Sequence, residues 1–370
     1  MAITRVEAFH VDWGASRSAW VRVWDDAGRC GLGEASPMGG GDAALEVVAG
    51  LFARALVGSD PLDHAVLQDR LFHQHVKLGP DGVLAAALAA VDIALWDLKG
   101  KVLGQPIYRL LGGAWRTELP FYASVGGNAG RSPDEVCRVV ERWLPLGPSL
   151  VKVRLDADRT RRDQDLEGDT ARIRAVRRLL GDDFPLAFDA NNNYSVQGAI
   201  RMGRLLEDLG CAWFEEPVQH YDLEGCEKVA AALDLPVAAG EQEYTLQGLR
   251  RLIDAGVAIV QPDIVKTGGF TGLARMAALA QTHGVDLVPH QTQPAVGHTA
   301  NLHFVATLLH SHHPCEWNDP SGMQDIVFRQ PVRPEHGRFV LTDRPGLGLE
   351  VVADELARRA KPWRPGRSST

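Results

Sequence analysis

The sequence predicts an α/β fold: a barrel of eight short strands alternating with helices, preceded by a smaller α+β region. Three observations predict it. After Gly113 the chain alternates short apolar segments with helical stretches over about 200 residues. Before that point a sheet-like alternation gives way to helices, the order of an α+β arrangement. The ionisable residues of the second region fall at the C-terminal ends of its apolar segments, the face on which such barrels carry their sites.

Residues 1–35 alternate apolar and polar positions around turn signals at Trp13-Gly14 and Asp26-Ala27-Gly28, which reads as a small antiparallel sheet. From Asp42 to Gly112 the pattern is helical. The stretch 83–104, VLAAALAAVDIALWDLKGKVLG, is apolar on most faces and reads as a buried helix. Barrel strands are expected at 121–125, 150–155, 185–189, 211–215, 236–241, 258–263, 285–290 and 314–317. Ser132-Pro133-Asp134-Glu135 opens one helix with an N-cap Ser, Pro at N1 and Glu at N3. The tail after Ser321 is short for a full eighth helix and is expected to fold back on the N-terminal region. The boundaries are then 1–118, 119–320 and 321–370. An open doubly wound sheet is the alternative, but no G-x-G-x-x-G follows the first strand.

With 45% hydrophobic and 23% charged residues in 370, the composition is that of a soluble globular protein. A net charge of −8 argues against nucleic acid and anionic membranes as partners, so an anionic ligand must be attracted locally. Cys30, Cys137, Cys211, Cys226 and Cys315 lack CxxC spacing and read as reduced core residues. The N-terminus has no apolar h-region, and no apolar run approaches the length of a membrane span. A cytoplasmic enzyme is expected.

The stretch FDANNNYS (188–195) raises the functional question, because an apolar strand runs straight into Asp189 and three asparagines. Asp189, Glu215 and Glu241 follow one another at intervals of 26 residues, one βα repeat each, which places three carboxylates on adjacent strands at matching height. Three hard oxygen donors without Cys or His select Mg²⁺ or Mn²⁺, and a dication relieves their mutual repulsion. Lys152 and Arg154 share one strand face, with Val151 and Val153 suiting the helix side. Across the barrel, Asp263 and His290 lie on consecutive strands, an arrangement that orients an imidazole and raises its basicity. His310, His312 and His313 read as a His-rich turn at a helix end rather than a second metal site, and Trp213 and Trp317 as barrel packing.

The motifs VKVR, FDAN, WFEEP, GEQ, QPDIVKTGG, VPHQ and CEW occur in that order along nearly the whole chain. Together they resemble the enolase superfamily in its mandelate racemase subgroup. The resemblance implies a modified (β/α)7β TIM-type barrel with an N-terminal α+β capping domain completed by the C-terminal tail. It implies Asp189, Glu215 and Glu241 as Mg²⁺ ligands, with Mn²⁺ as a substitute, and Asp263–His290 as the general acid/base dyad. Glu316 is implied as a hydrogen-bond donor to the substrate carboxylate. The loops around Trp13–Arg17 and His73–Asp81 are implied to close over the site. There Arg17 either meets a distal carboxylate, favouring a diacid, or is an exposed surface residue. Asn191 is expected to touch substrate or to hydrogen-bond a metal ligand. The partner is a small-molecule carboxylate, and a homo-oligomer is expected.

Relatives of this kind remove the proton α to a carboxylate and hold the enediolate on Mg²⁺, with Lys152 and Glu316 assisting. Mandelate racemase has Lys-x-Lys where this chain has Lys152-Val153-Arg154, and arginine is a poor base near neutrality. A two-base racemase is thereby disfavoured. The preferred reading is an acid-sugar dehydratase converting an aldonate or aldarate to a 2-keto-3-deoxy acid. Racemases or epimerases and lactone cycloisomerases share the same half-reaction and stay open. Some relatives instead carry a catalytic Lys on the sixth strand. Lys266, three residues beyond Asp263, has the wrong parity and is expected in the loop. A non-catalytic carboxylate-binding barrel would have lost a ligand or the dyad, and a metal-assisted hydrolase would show His ligands. The charged stretch 156–169 reads as a solvated loop, or as part of a lid or oligomer contact.

Overall fold

A computed structural model of the chain describes residues 1–364 except 15, 38–40, 294, 310–311, 319–320 and 323–324. Strands β1 (Ile3–Asp12), β2 (Arg17–Asp25) and β3 (Cys30–Ala35) form an antiparallel meander, with Phe9 opposite Trp20 and Val21 opposite Gly33. The helix Val83–Leu103 lies on β3, and almost every residue from Leu84 to Leu98 is buried. Having almost no solvent face between Leu84 and Leu98 explains its largely apolar sequence. It ends where Gly104 takes φ 65°, a left-handed cap that favours glycine.

Eight parallel strands follow: β4 (Glu118–Val125), β5 (Leu150–Arg154), β6 (Leu186–Asp189), β7 (Phe214–Glu215), β8 (Val237–Ala239), β9 (Ile259–Val260), β10 (Asp286–Leu287) and β11 (Cys315–Trp317). Their order in the curled sheet is β10-β9-β8-β7-β6-β5-β4-β11, with helices in the connections. Several helices open on a side chain that accepts an amide three residues on: Ser132 in a full capping box with Glu135, then Asp165, Ser195, Asp222 and Thr245. Each helix start is thereby pinned just beyond a strand's C-terminal end, where the candidate site lies.

Alternation along the strands separates two cores. Val151, Val153, Phe188 and Phe214 pack outward under the helices. Tyr122, Leu150, Ala187, Trp213, Ala238, Ile259 and Val288 fill the bore. Trp213 thus packs the bore and Trp317 the helix side. The tail adds β12 (Arg338–Val340) antiparallel to β4 and β13 (Ala360–Pro362) antiparallel to β1. Trp363 Nε1 then donates to Glu46 Oε2 at 2.8 Å, fixing the tail to the N-terminal region. All five cysteines are free, and among the described residues no helix is long and apolar enough to cross a membrane.

The strands are shorter than the sequence suggests, with β7, β9 and β10 only two residues each. Asp189 and Glu215 are direct partners in the ladder, but Glu215 is level with Ala238, so Glu241 falls three residues higher. Matching height therefore holds for two of the three carboxylates. Gly240, at φ 130°, turns the chain after β8, and a Cβ there would meet Gln261 N at 2.9 Å.

Candidate active site

Lys152 points into the bore because it alternates with Val151 and Val153, and it is fully buried. Its Nζ lies 2.6 Å from Glu215 Oε1, 2.9 Å from Glu316 Oε1 and 3.8 Å from Asp189 Oδ2. Burial opposes its charge, yet Glu215 and Glu316 outweigh burial and hold the ammonium well above the usual lysine range. Burial also opposes ionisation of Glu316, but Lys152 and His290 bring its carboxyl down to about 2. Glu316 is accordingly an acceptor here, taking the Gln291 amide at 3.0 Å. The donor role implied for it requires that it gain a proton as a second anion arrives.

Asp189 behaves oppositely. Burial and the neighbouring Glu215 carboxylate push it well above the ordinary carboxylate range. Two groups fix its oxygens: the Asn191 amide donates to Oδ1 at 2.8 Å and Asn191 Nδ2 to Oδ2 at 3.1 Å. Asn191 sits at φ 47°, and its own Oδ1 accepts the Asp156 amide at 2.8 Å. Glu215 Oε2 accepts from Trp213 Nε1 at 3.0 Å and Gln261 Nε2 at 2.8 Å.

On the far side of the barrel, His290 bridges two carboxylates: Nδ1 to Asp263 Oδ2 at 2.8 Å and Nε2 to Glu241 Oε2 at 2.9 Å. Burial disfavours a charged ring, but Glu241 and Asp263 outweigh it and push the imidazole up to about 10. Positive charge placed on Glu241 would lower it again.

Negative charge exceeds positive charge among the buried groups. Asp189, Glu215, Glu216, Glu241, Asp263 and Glu316 face Lys152 and Lys266, with His290 between. The donors of Asp189, Glu215 and Glu241 are all oxygens, and the raised Asp189 marks where cationic charge is lacking. That is the environment a hard dication fits.

Lys266 lies in the loop where the sequence places it, but it reaches the site, which its parity argued against. It is 1% exposed, its Nζ donates to the Glu241 carbonyl at 3.0 Å, and it stands 3.8 Å from Glu241 Oε1 and 3.9 Å from Asp263 Oδ2. Parity does not govern a turn residue: the amides of Lys266 and Thr267 both donate to the Asp263 carbonyl, and the turn swings the ammonium inward. Glu216, at φ 43°, was passed over. Its carboxylate takes Asn192 Nδ2 at 2.5 Å and Gln242 Nε2 at 2.8 Å, and burial raises it to about 8.

Other expected residues stand at the rim or away from the cluster. Arg154 pairs with Asp156, Nε to Oδ1 at 2.9 Å, and rests against Gly126. Burial opposes its charge, but Asp156 and Asp189 outweigh it and raise the guanidinium above its ordinary value. Trp13 is buried edge-on against Trp20 and donates to Ser18 Oγ at 3.0 Å. Arg17 pairs with Asp42 at 2.9 Å, an anchor within the N-terminal region, so the structure does not bring it to the carboxylates. The 73–81 segment lines a cavity of about 240 Å³ through His73 and Pro80, shared with Tyr244, Thr267 and Gly268 beside Lys266. The stretch 156–169 is part loop and part helix, since the helix Leu166–Leu180 begins inside it. The loop part docks through Asp163, which accepts the Ser195 amide at 3.0 Å. His312 and His313 lie just before β11, at the other end of the strands, and His310 lies outside the described residues.

Residues 9–112 match the family described as mandelate racemase / muconate lactonizing enzyme, N-terminal domain, and residues 135–355 match the enolase C-terminal domain-like family. An arabinonate dehydratase of Saccharolobus solfataricus is 32% identical over 330 residues, covering 88% of this chain and 85% of that protein. A D-galactarolactone cycloisomerase of Agrobacterium fabrum is 32% identical over 357 residues, covering 92% and 91%. The crystal structure of a mandelate racemase/muconate lactonizing protein from Paracoccus denitrificans, complexed with magnesium, superposes with a TM-score of 0.96 at 59% identity, covering 98% of this chain and 99% of that one.

Proposed function

The chain belongs to the mandelate racemase/muconate lactonizing enzyme family of the enolase superfamily, and on that premise we propose that it dehydrates a sugar acid. An aldonate or aldarate loses the proton α to its carboxylate and then its β-hydroxyl, giving a 2-keto-3-deoxy acid. The observation that carries this reading is an asymmetry of bases. His290 is oriented by Asp263, whereas the strand opposite offers Lys152, held between Glu215 and Glu316, and Arg154, kept cationic by Asp156. A racemase needs a competent base on each face of the α-carbon; a dehydratase needs one.

In this reading Asp189, Glu215 and Glu241 hold a divalent cation, Mg²⁺ with Mn²⁺ as a substitute, which when bound supplies positive charge to the substrate carboxylate. Lys152 offsets the negative charge that grows on that carboxylate as the α-proton leaves. His290 takes the proton on Nε2 while Asp263 keeps Nδ1 and stabilises the imidazolium. The ring then delivers that proton to the β-hydroxyl; the C–O bond breaks as the C=C bond forms, water departs, and the enol tautomerises to the 2-keto acid. Trp213 and Gln261 fix the orientation of Glu215, as Asn191 fixes Asp189.

Loss of a lactone ring oxygen in place of the hydroxyl would give cycloisomerisation, a second reading favoured by the likeness to the Agrobacterium cycloisomerase. Sugar acids and their lactones incubated with the enzyme and Mg²⁺ in D₂O test both. α-Deuterium incorporation is followed by NMR and 2-keto acids by semicarbazide. Exchange with inversion and no loss of water overturns dehydration. A ring-opened isomer without net water loss selects the cycloisomerase.

A further inference from the structure

The curled sheet begins at β10 and ends at β11, and among the described residues no ladder joins these two. At the N-terminal ends of the strands, the end away from the carboxylates, side chains bridge this seam instead. Asp286 opens β10, His312 and His313 lead into β11, and His313 Nε2 lies 2.8 Å from Asp286 Oδ2. The two imidazole rings lie side by side, centroids 4.3 Å apart and tilted by 31°. Trp213 in the bore meets His313 edge-on at 6.2 Å and holds that ring from inside. One donor atom from each of Asp286, His312 and His313 falls within 4.8 Å of the others. Asp286 and His313 also border a cavity of about 620 Å³ that contains Gln281 and Thr307, which leaves room for water beside the cluster.

We propose that Asp286, His312 and His313 bind a transition-metal dication, zinc being the natural occupant, that closes the barrel seam. Two imidazoles and one carboxylate form a borderline donor set suited to zinc, cobalt or nickel and poorly suited to magnesium. The donor chemistry of the two sites is therefore orthogonal: oxygen only at the C-terminal ends of the strands, nitrogen-rich at the N-terminal ends. Tetrahedral donors around zinc stand about 3.3 Å apart, so donors now within 4.8 Å must close in while the 2.8 Å contact of His313 with Asp286 opens slightly. An adjacent His-His pair at a strand entry, with one ring exposed, can make that adjustment by rotation. Water completes the shell, and the metal links the two sheet edges that no ladder joins among the described residues.

The test is calorimetric titration of Zn²⁺ into protein already saturated with Mg²⁺, which keeps the carboxylate site filled. One tight equivalent of zinc is expected, with Co²⁺ giving a visible ligand-field absorption under the same conditions. Thermal unfolding should shift upward with zinc but not with further magnesium. His312→Gln should abolish both the equivalent and the zinc-induced shift, the shift being read against the variant's own metal-free melting point. Asp286→Asn should abolish the equivalent as well. No zinc binding in Mg²⁺-saturated protein, or an equivalent that survives His312→Gln, overturns the proposal. Neither outcome depends on what the carboxylate site catalyses.

Discussion

Lys152 is the residue on which the site's charge balance turns. It is an ammonium with no solvent access, touching Glu215 and Glu316 and facing Asp189. Removing one partner from such a buried cluster leaves like charges uncompensated, a loss of about 3–5 kcal/mol. Lys152→Met should therefore lower the unfolding free energy measured in urea by that amount without Mg²⁺, and Mg²⁺ should recover part of it; an unchanged free energy would mean the carboxylates are protonated in the fold. Asp189→Asn removes charge from the opposite side. It should abolish Mg²⁺ binding by calorimetry and α-proton exchange together, and exchange that persists without bound metal would refute the assigned site. At Asp263 the expectation is a loss of orientation and not of fold. Asp263→Asn should slow exchange by roughly 10²–10⁴-fold with Mg²⁺ affinity retained, because His290 loses the partner of its Nδ1.

Among the elements, β3 and the helix Val83–Leu103 fit closely. A Cβ at Gly33 would lie 1.9 Å from the Ala90 carbonyl oxygen, and one at Gly31 equally close to that of Ala94. The glycines are there for close approach of strand to helix. Gly33→Ala should cost about 1–3 kcal/mol in urea unfolding, and a wild-type midpoint would show that the helix can move away. What sequence reasoning captured at this scale is what local pattern controls. The buried helix showed in its all-round apolarity, the Ser132 cap in its spacing to Glu135, and the inward face of Lys152 in its alternation with Val151 and Val153. What it missed depends on chain direction beyond a strand's last ladder bond. Lys266 enters the site from a turn, where two-residue parity has lapsed. Arg154 is drawn to the rim by Asp156, whose φ of 54° no strand pattern encodes. Arg17, read as meeting a distal carboxylate or lying exposed, is exposed, and its pairing with Asp42, a helix start, is set only by tertiary packing.

Across the whole molecule, two buried carboxylates join the N-terminal region to the barrel. Glu34 accepts the Gly297 amide at 2.8 Å, at the start of the helix Val296–Val305. Asp92, in the middle of Val83–Leu103, accepts the Thr271 amide at 3.0 Å and its hydroxyl at 2.6 Å, and Trp96 Nε1 donates to the same hydroxyl. Burial outweighs these hydrogen bonds and pushes both carboxyls up to about 7. For Asp92 the folded value lies above the ordinary 3.8, so between those two pH values the native state keeps a proton that the unfolded chain has released. The resulting stability is complete below the unfolded value and is lost as pH rises to about 7. Asp92→Asn carries no proton to lose. Its unfolding free energy, relative to wild type, should improve between about pH 5 and about pH 7 by at most about 1.4 kcal/mol per pH unit, then level off. Urea unfolding of both proteins at the two pH values measures the difference. A pH-independent difference would mean that Asp92 is ionised in the fold and that its contacts with Thr271, not burial, set its charge.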